Sequence, residues 1–352
     1  MKDINVTMLL IALGLSFLAL PLGCPSKLMF KEPLNNVTVK VGQDAVFHCV
    51  VKDLGGHRVA WNEVESKAIL AIHTHVVTSD SRVKVSHDRA LEIWTLKIRN
   101  VSLEDSGSYM CQLNTNPMRS QKAYLNVVIP PTLRSREIPE ESVVSEGGPA
   151  ELRCMAEGIP RPDIIWTRED GGPIVIRRDS SVQKFENFIG DTLHMPRVTR
   201  WDMGNYICTA KNGVEPTPRE RITLHVRFPP LVRAPDPLIR VIPGGSFSAH
   251  CQVESFPASL NYWLDPEGKT VNNHGNRIRT SQEFEPPFKT TFSLSIENVT
   301  RADFGTYHCV SNNGQSKEVK SPITVEAWRG ENGSGSPPDS HTHPLIYTHV
   351  QI

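Results

Sequence analysis

The chain carries no charge excess: 38 Lys and Arg stand against 38 Asp and Glu in 352 residues. Without a basic field nothing holds a phosphate backbone, which argues against nucleic acid as a partner. Long hydrophobic runs are lacking too. Met8 to Leu20 offers thirteen residues, short of the roughly 20 that a membrane-spanning helix needs, and the C-terminal stretch shows neither a span nor a lipid-anchor signal. There is no phosphate loop, no Cys-x-x-Cys and no Ser-His-Asp set to which roles can be given. These gaps point away from an enzyme, from a cofactor and from a small-molecule substrate.

Cysteine is scarce, at seven residues, and six of them are regularly placed. The pattern Asp-x-Gly-x-Tyr-x-Cys occurs at Asp105 to Cys111, at Asp202 to Cys208 and at Asp303 to Cys309. Upstream of each copy stands a Cys followed twelve residues later by a Trp: Cys49 with Trp61, Cys154 with Trp166, Cys251 with Trp263. A Cys, a Trp and a Tyr two residues before the second Cys mark an immunoglobulin sandwich. The sequence therefore predicts an all-β chain of three tandem immunoglobulin-like sandwiches, with Trp61, Tyr109, Trp166, Tyr206, Trp263 and Tyr307 as core marks. Spans of 62, 54 and 58 residues fit disulfides Cys49–Cys111, Cys154–Cys208 and Cys251–Cys309. Each would stabilise its domain by about 4 kcal/mol in the chain-entropy model, and such bonds persist only in an oxidising compartment.

The expected layout follows. Residues 1–24 read as a signal peptide, because Met8 to Leu20 has the length of its apolar core, and Cys24 lies near the cleavage zone. Residues 25–129, 130–228 and 229–327 are the three sandwiches. The first has room for extra C′ and C″ strands and is variable-like, while the shorter spans make the second and third intermediate-type. Pro pairs at Pro130-Pro131 and Pro229-Pro230 read as short, stiff joints in a rod. Residues 328–352, with Gly333-Ser334-Gly335-Ser336-Pro337-Pro338, read as a disordered tail.

Sequons stand at Asn36, Asn100, Asn298 and Asn332. Asn100 and Asn298 each precede the Asp of the repeated pattern by five residues, and Asn36 falls on the A-strand edge. The first-domain sites thus predict glycans away from the C–C′–F–G sheet. On that sheet, Trp61 and Cys111 point inward, so period 2 sends Ala60, Asn62 and Val64 outward on strand C, and Met110, Gln112 and Asn114 outward on strand F. The C′ stretch Lys67 to Ile72 is apolar on both parities, so one of its rows is exposed on either reading. Exposed apolar strips of this kind mark protein partners. His73 and His75 sit at alternate positions read as one side of a strand, but no third ligand of defined spacing accompanies them, and the tail residues His341, His343 and His349 supply none.

Leu54-Gly55-Gly56-His57-Arg58-Val59-Ala60-Trp61, Lys67 to His73 and Tyr109 to Gln121 closely resemble the arthropod lachesin-like cell-surface proteins, most of all the Dpr-interacting proteins, relatives of the vertebrate IgLON family. The similarity continues through Gly158-Ile159-Pro160-Arg161-Pro162, Trp166 to Gly171, Phe228-Pro229-Pro230 and Asn261-Tyr262-Trp263. The resemblance implies neuronal or synaptic recognition, with first domains pairing face to face. The implied partner is a Dpr-like immunoglobulin-superfamily protein on another cell, or a second copy. Carried over by position, Lys67, Ile69 and Ala71 on C′ join Asn62, Val64, Gln112 and Asn114 as partner-binding residues. The implied location is extracellular, either secreted or at the cell surface. Homophilic junctional adhesion and a soluble decoy are the alternatives.

Overall fold

The computed structural model describes residues 28–134, 139–275 and 277–328. The expected signal peptide, residues 329–352 of the expected tail and with them Asn332 lie outside the described residues. Among the described residues no helix is long and apolar enough to cross a membrane.

The first domain comprises β1 (Met29–Phe30), β2 (Val37–Lys40), β3 (Ala45–Lys52), β4 (Val59–Glu63), β5 (Ile69–Ile72), β6 (His75–Val76), β7 (Val83–Asp88), β8 (Ile93–Ile98), β9 (Gly107–Leu113) and β10 (Arg119–Leu133). Alternating apolar and polar residues set the inner and outer sides: along β9, Gly107, Tyr109, Cys111 and Leu113 are buried while the residues between them are not. One sheet runs β1-β3-β8-β7. The other runs β10-β9-β4-β5-β6, with β2 parallel to β10 on its outer edge. Here β4, β5, β6, β9 and β10 take the places of strands C, C′, C″, F and G. Phe47, Trp61, Leu96, Leu113 and Leu125 fill the space between the sheets.

The second domain comprises β11 (Glu141–Ser145), β12 (Ala150–Arg153), β13 (Ala156–Ile159), β14 (Asp163–Arg168), β15 (Ile174–Arg178), β16 (Ser181–Phe185), β17 (Phe188–Ile189), β18 (Thr192–Met195), β19 (Gly204–Lys211) and β20 (Arg219–Arg233). The third comprises β21 (Leu238–Val241), β22 (Phe247–Phe256), β23 (Leu260–Leu264), β24 (Ile278–Glu285), β25 (Lys289–Ile296), β26 (Gly305–Asn312) and β27 (Val319–Ala327).

One corner is built three times. Tyr109, Tyr206 and Tyr307 donate their hydroxyls to the carbonyls of Asp105, Asp202 and Asp303 at 2.9, 2.8 and 3.1 Å. Each Asp carboxylate caps a short 3-10 turn through the backbone N–H of Ser102, Thr199 or Thr300, at 2.7 Å in all three. An arginine closes the corner: Arg82 on Asp105, Arg177 on Asp202, Arg277 on Asp303. Gly204 and Gly305 hold φ of 141° and 142°, where a side chain is strained. Disulfides bridge the paired sheets at Cα separations of 6.4, 6.4 and 6.5 Å.

The second and third domains share structure beyond this frame. Strand β20 pairs with β19 in the second domain and continues into the third, where it pairs with β22. The β24–β25 hairpin carries Phe288 at its tip, and this ring is 3% exposed within the core of the second domain. It meets Phe228 and Trp201 edge-on at 5.5 and 5.2 Å between ring centroids. Arg200 reaches Glu146 at 2.8 Å and Glu254 of the third domain at 2.9 Å, with its guanidinium 4.1 Å from the Phe228 ring centroid.

Candidate recognition face

Register, rather than parity along one strand, determines which side chains share the outer face of the β10-β9-β4-β5 sheet. Residues directly opposite each other point to the same side. One outward row is Lys122, Met110, Asn62 and Ile69; the next is Ser120, Gln112, Ala60 and Ile72. Trp61 and Cys111, between the rows, point inward and are buried.

The pairing of β4 with β5 is interrupted between Trp61 and Asn62: Trp61 opposes Ala71, yet Asn62 opposes Ile69. Leu70 is the extra residue, and a bulge of this kind resets the alternation of its strand. This corrects the position of Ala71. It is 0% exposed, packed against the Trp61 layer, and takes no part in an outer surface. Ile72 takes its place on the outer side and is half-buried, while Ile69 is 47% exposed.

The other predicted residues divide by environment. Lys67 is exposed in the β4–β5 turn with φ of 59°. Val64 follows the end of β4, half-buried, its N–H donating to Ser108 O at 2.8 Å. Asn62, on the outer side, is only 8% exposed, and its Nδ2 donates to Gln112 Oε1 at 2.9 Å. Gln112 is half-buried and passes its own Nε2 hydrogen to Met118 Sδ. Asn114 is exposed, but its Oδ1 accepts from the Arg58 N–H at 2.6 Å and ties the ends of β4 and β9 together.

Sequence reasoning omitted Met118, which is 66% exposed beside Gln112, and Tyr124, exposed on β10. Met118 lies just before β10 and follows the cis peptide Asn116-Pro117, so no strand parity was available to orient it.

Two further placements differ from expectation. Asn36 precedes β2, which belongs to the same sheet as the face, and its Oδ1 accepts from the Tyr124 N–H at 2.8 Å. It therefore marks the far edge of this sheet from β5 rather than lying off it. Asn100 and Asn298 occupy matching turns with φ of 50° and 52°, outside the sheets' outer rows. His73 and His75 do not share a strand side either. His73 occupies the β5–β6 turn with φ of 54° and stacks on Trp94 at 4.9 Å, whereas His75 is exposed on β6. Among the described residues no group of three His, Cys, Asp or Glu could hold a metal ion.

Comparison with known proteins agrees with this architecture. Residues 28–129 match the immunoglobulin I-set domain, and residues 130–212 and 229–313 match the immunoglobulin domain. Lachesin of Drosophila melanogaster is 27% identical over 279 residues, covering 78% of this chain and 74% of lachesin. The limbic system-associated membrane protein of Rattus norvegicus is 29% identical over 319 residues, covering 90% of this chain and 87% of that protein. A chain of the crystal structure of Dpr2 Ig1-Ig2 in complex with DIP-Theta Ig1-Ig3 superposes with a TM-score of 0.69 at 36% identity, covering 86% of this chain and 99% of that one. With three sandwiches of matching order and this extent of likeness, the chain belongs to the lachesin-like family of immunoglobulin cell-surface proteins.

Proposed function

We propose that this is an extracellular cell-recognition protein whose first domain binds the immunoglobulin domain of another surface protein, Dpr-like in character, in neuronal partner recognition. The observation that carries the reading is the exposed apolar edge of the outer rows. Ile69 and Met118, both exposed, and the half-buried Ile72 and Met110 surround a small polar centre on the outer face of this sheet. Soluble domains rarely leave such a strip open without a partner for it. The likeness to a chain of the Dpr2 and DIP-Theta complex supports an immunoglobulin partner.

In this reading Asn62, Val64, Lys67, Ile69, Ile72, Gln112 and Asn114 form the binding face, with Ala71 supporting it from beneath. The three disulfides fit the exterior of the cell. A glycan on Asn100 would leave the face open, and one on Asn36 would bound it along β2.

The test is surface binding of the full chain to a panel of immunoglobulin ectodomains that includes the Dpr2 Ig1-Ig2 fragment and the chain itself. Ile69→Asp places a charge on the exposed apolar edge at β5 and should abolish every genuine complex. Binding that survives Ile69→Asp would reject the face. Self-association alone would replace the heterophilic partner with a homophilic one.

A further inference from the structure

The outer face of the first domain is apolar toward β5 and polar at its middle, where Asn62 is nearly dry and Gln112 half-buried. Asn62 is 8% exposed in the free chain, although it stands in an outward row. Its carboxamide has lost most of its water and has one protein partner, Gln112 Oε1. Among the described residues Asn62 Oδ1 accepts no hydrogen bond from the chain. Gln112 Nε2 donates only to the Met118 thioether, a weak acceptor. A single bond between two carboxamides leaves one carbonyl and one amide open, whichever way round the two groups are turned.

We infer that the Asn62–Gln112 pair is the specificity-determining element of this face. It selects an immunoglobulin domain that lays a neutral side chain with both a donor and an acceptor, an amide or a hydroxyl, over β4. It rejects one that lays an aliphatic side chain there. This rests on the reading of the face as the binding surface.

The physical basis is an asymmetry. Ile69, Ile72, Ala60 and Met110 supply area, but an apolar contact discriminates poorly between partners of similar size. A polar pair discriminates strongly once covered. An aliphatic group would remove the remaining water from Asn62 Oδ1 and Gln112 Nε2 and return no hydrogen bond, which is a large penalty for a polar group once buried. An amide or hydroxyl returns a hydrogen bond to each. A carboxylate would meet the Asn62 carbonyl, and an ammonium would meet the Gln112 amide, so either charge satisfies only half of the pair.

The experiment measures binding of the full chain, as wild type, Asn62→Leu, Gln112→Leu and Ile69→Asp, to the same panel, with its members sorted by the residue they present at the centre of their own sheet. Asn62→Leu should weaken the wild-type complexes by roughly tenfold or more. It should also bring up members with an aliphatic centre that the wild type ignores. Gln112→Leu should shift the ranking in the same direction, and carries the test by itself if Asn62→Leu does not fold. If both variants keep the wild-type affinities and ranking while Ile69→Asp abolishes binding, the pair is not selective and the face stands. Binding that survives Ile69→Asp, or a panel without any hit, overturns the face and the inference together.

Discussion

The first and second domains bury a Trp, a Tyr and a disulfide at matching positions, yet the outer faces of their equivalent sheets have little in common. In the first domain the rows crossing β10, β9, β4 and β5 hold Lys122, Met110, Asn62 and Ile69, then Ser120, Gln112, Ala60 and Ile72. In the second, the matching rows hold Arg219, Thr209, Ile165 and Ile189, then Arg221, Ile207 and Thr167. Arg221 is paired with Glu169 at 3.6 Å on an exposed rim. The inner residues follow the demands of a sandwich, so they repeat. The outer residues are free of those demands, and their divergence is where recognition can be written.

A second difference concerns how the domains spend aromatic side chains. The first closes its core from its own sequence, with Phe47, Trp61, Trp94 and Tyr109. The second borrows Phe288 from the third. The strongest way to sharpen this contrast is Phe288→Ala. Removing a buried ring costs about 3–5 kcal/mol, and the loss should lower the melting transition of the second and third domains. The first-domain transition should stay where it is. Calorimetry of the full chain reads both, and a shift confined to the third domain would show that Phe288 is not part of the second domain's core energetics.

A smaller effect tests the weight of the repeated corner in its first copy. Arg82 contacts Asp105 at 2.6 Å and Asp80 at 2.8 Å. Burial acts to raise the Asp105 carboxyl, but the Arg82 and Ser102 hydrogen bonds outweigh it and hold it below the ordinary carboxylate value. Arg82→Ala leaves Asp105 partly buried with its strongest partner gone, at a cost of about 1–3 kcal/mol. Chemical denaturation should place that loss in the first domain alone.

The frame was legible because it rests on few, widely spaced residues whose roles do not depend on detail. Cys49, Trp61, Tyr109 and Cys111 fix a disulfide, a core ring and a corner wherever the loops run. The face was legible only in part, and the reason is local. Ile69-Leu70-Ala71-Ile72 is apolar at every position, so nothing in it records the bulge that buries both Leu70 and Ala71. Asn62 follows the period-2 rule in direction but not in exposure, because its bond to Gln112 and the rows beside it shield it. Phe288 was illegible for a different reason. Glu285-Pro286-Pro287-Phe288 has the composition of an exposed turn, and only the neighbouring domain gives the ring a place to go. Asn36 was read from its strand alone, whereas β2 leaves the first sheet's partners and joins β10.

The smallest expected effect separates the domains by pH. His73 sits in the β5–β6 turn next to Ile72 and stacks with Trp94, which also stacks with His87 at 3.8 Å. Its Nδ1 is buried without a hydrogen-bond partner. Burial, then the nearby charges of Arg58 and His87, push its pKa below the ordinary 6.5. The unfolded chain therefore binds a proton that the folded domain resists, so this contribution is complete above about pH 6.5 and is lost as the pH falls toward the folded value. In the second domain the depressed groups are carboxylates. Glu146 is held low by Arg200, and Asp170 is lowered to about 2 by Arg168, so their contributions are complete above about pH 4.5 and are lost only as the pH falls below it. His73→Asn suits the left-handed turn and removes the titration. It should flatten the first-domain melting profile between about pH 7 and 5 and leave the profile of the second and third domains unchanged. If the wild-type slope persists in His73→Asn, the acid sensitivity of the first domain lies elsewhere than at this turn.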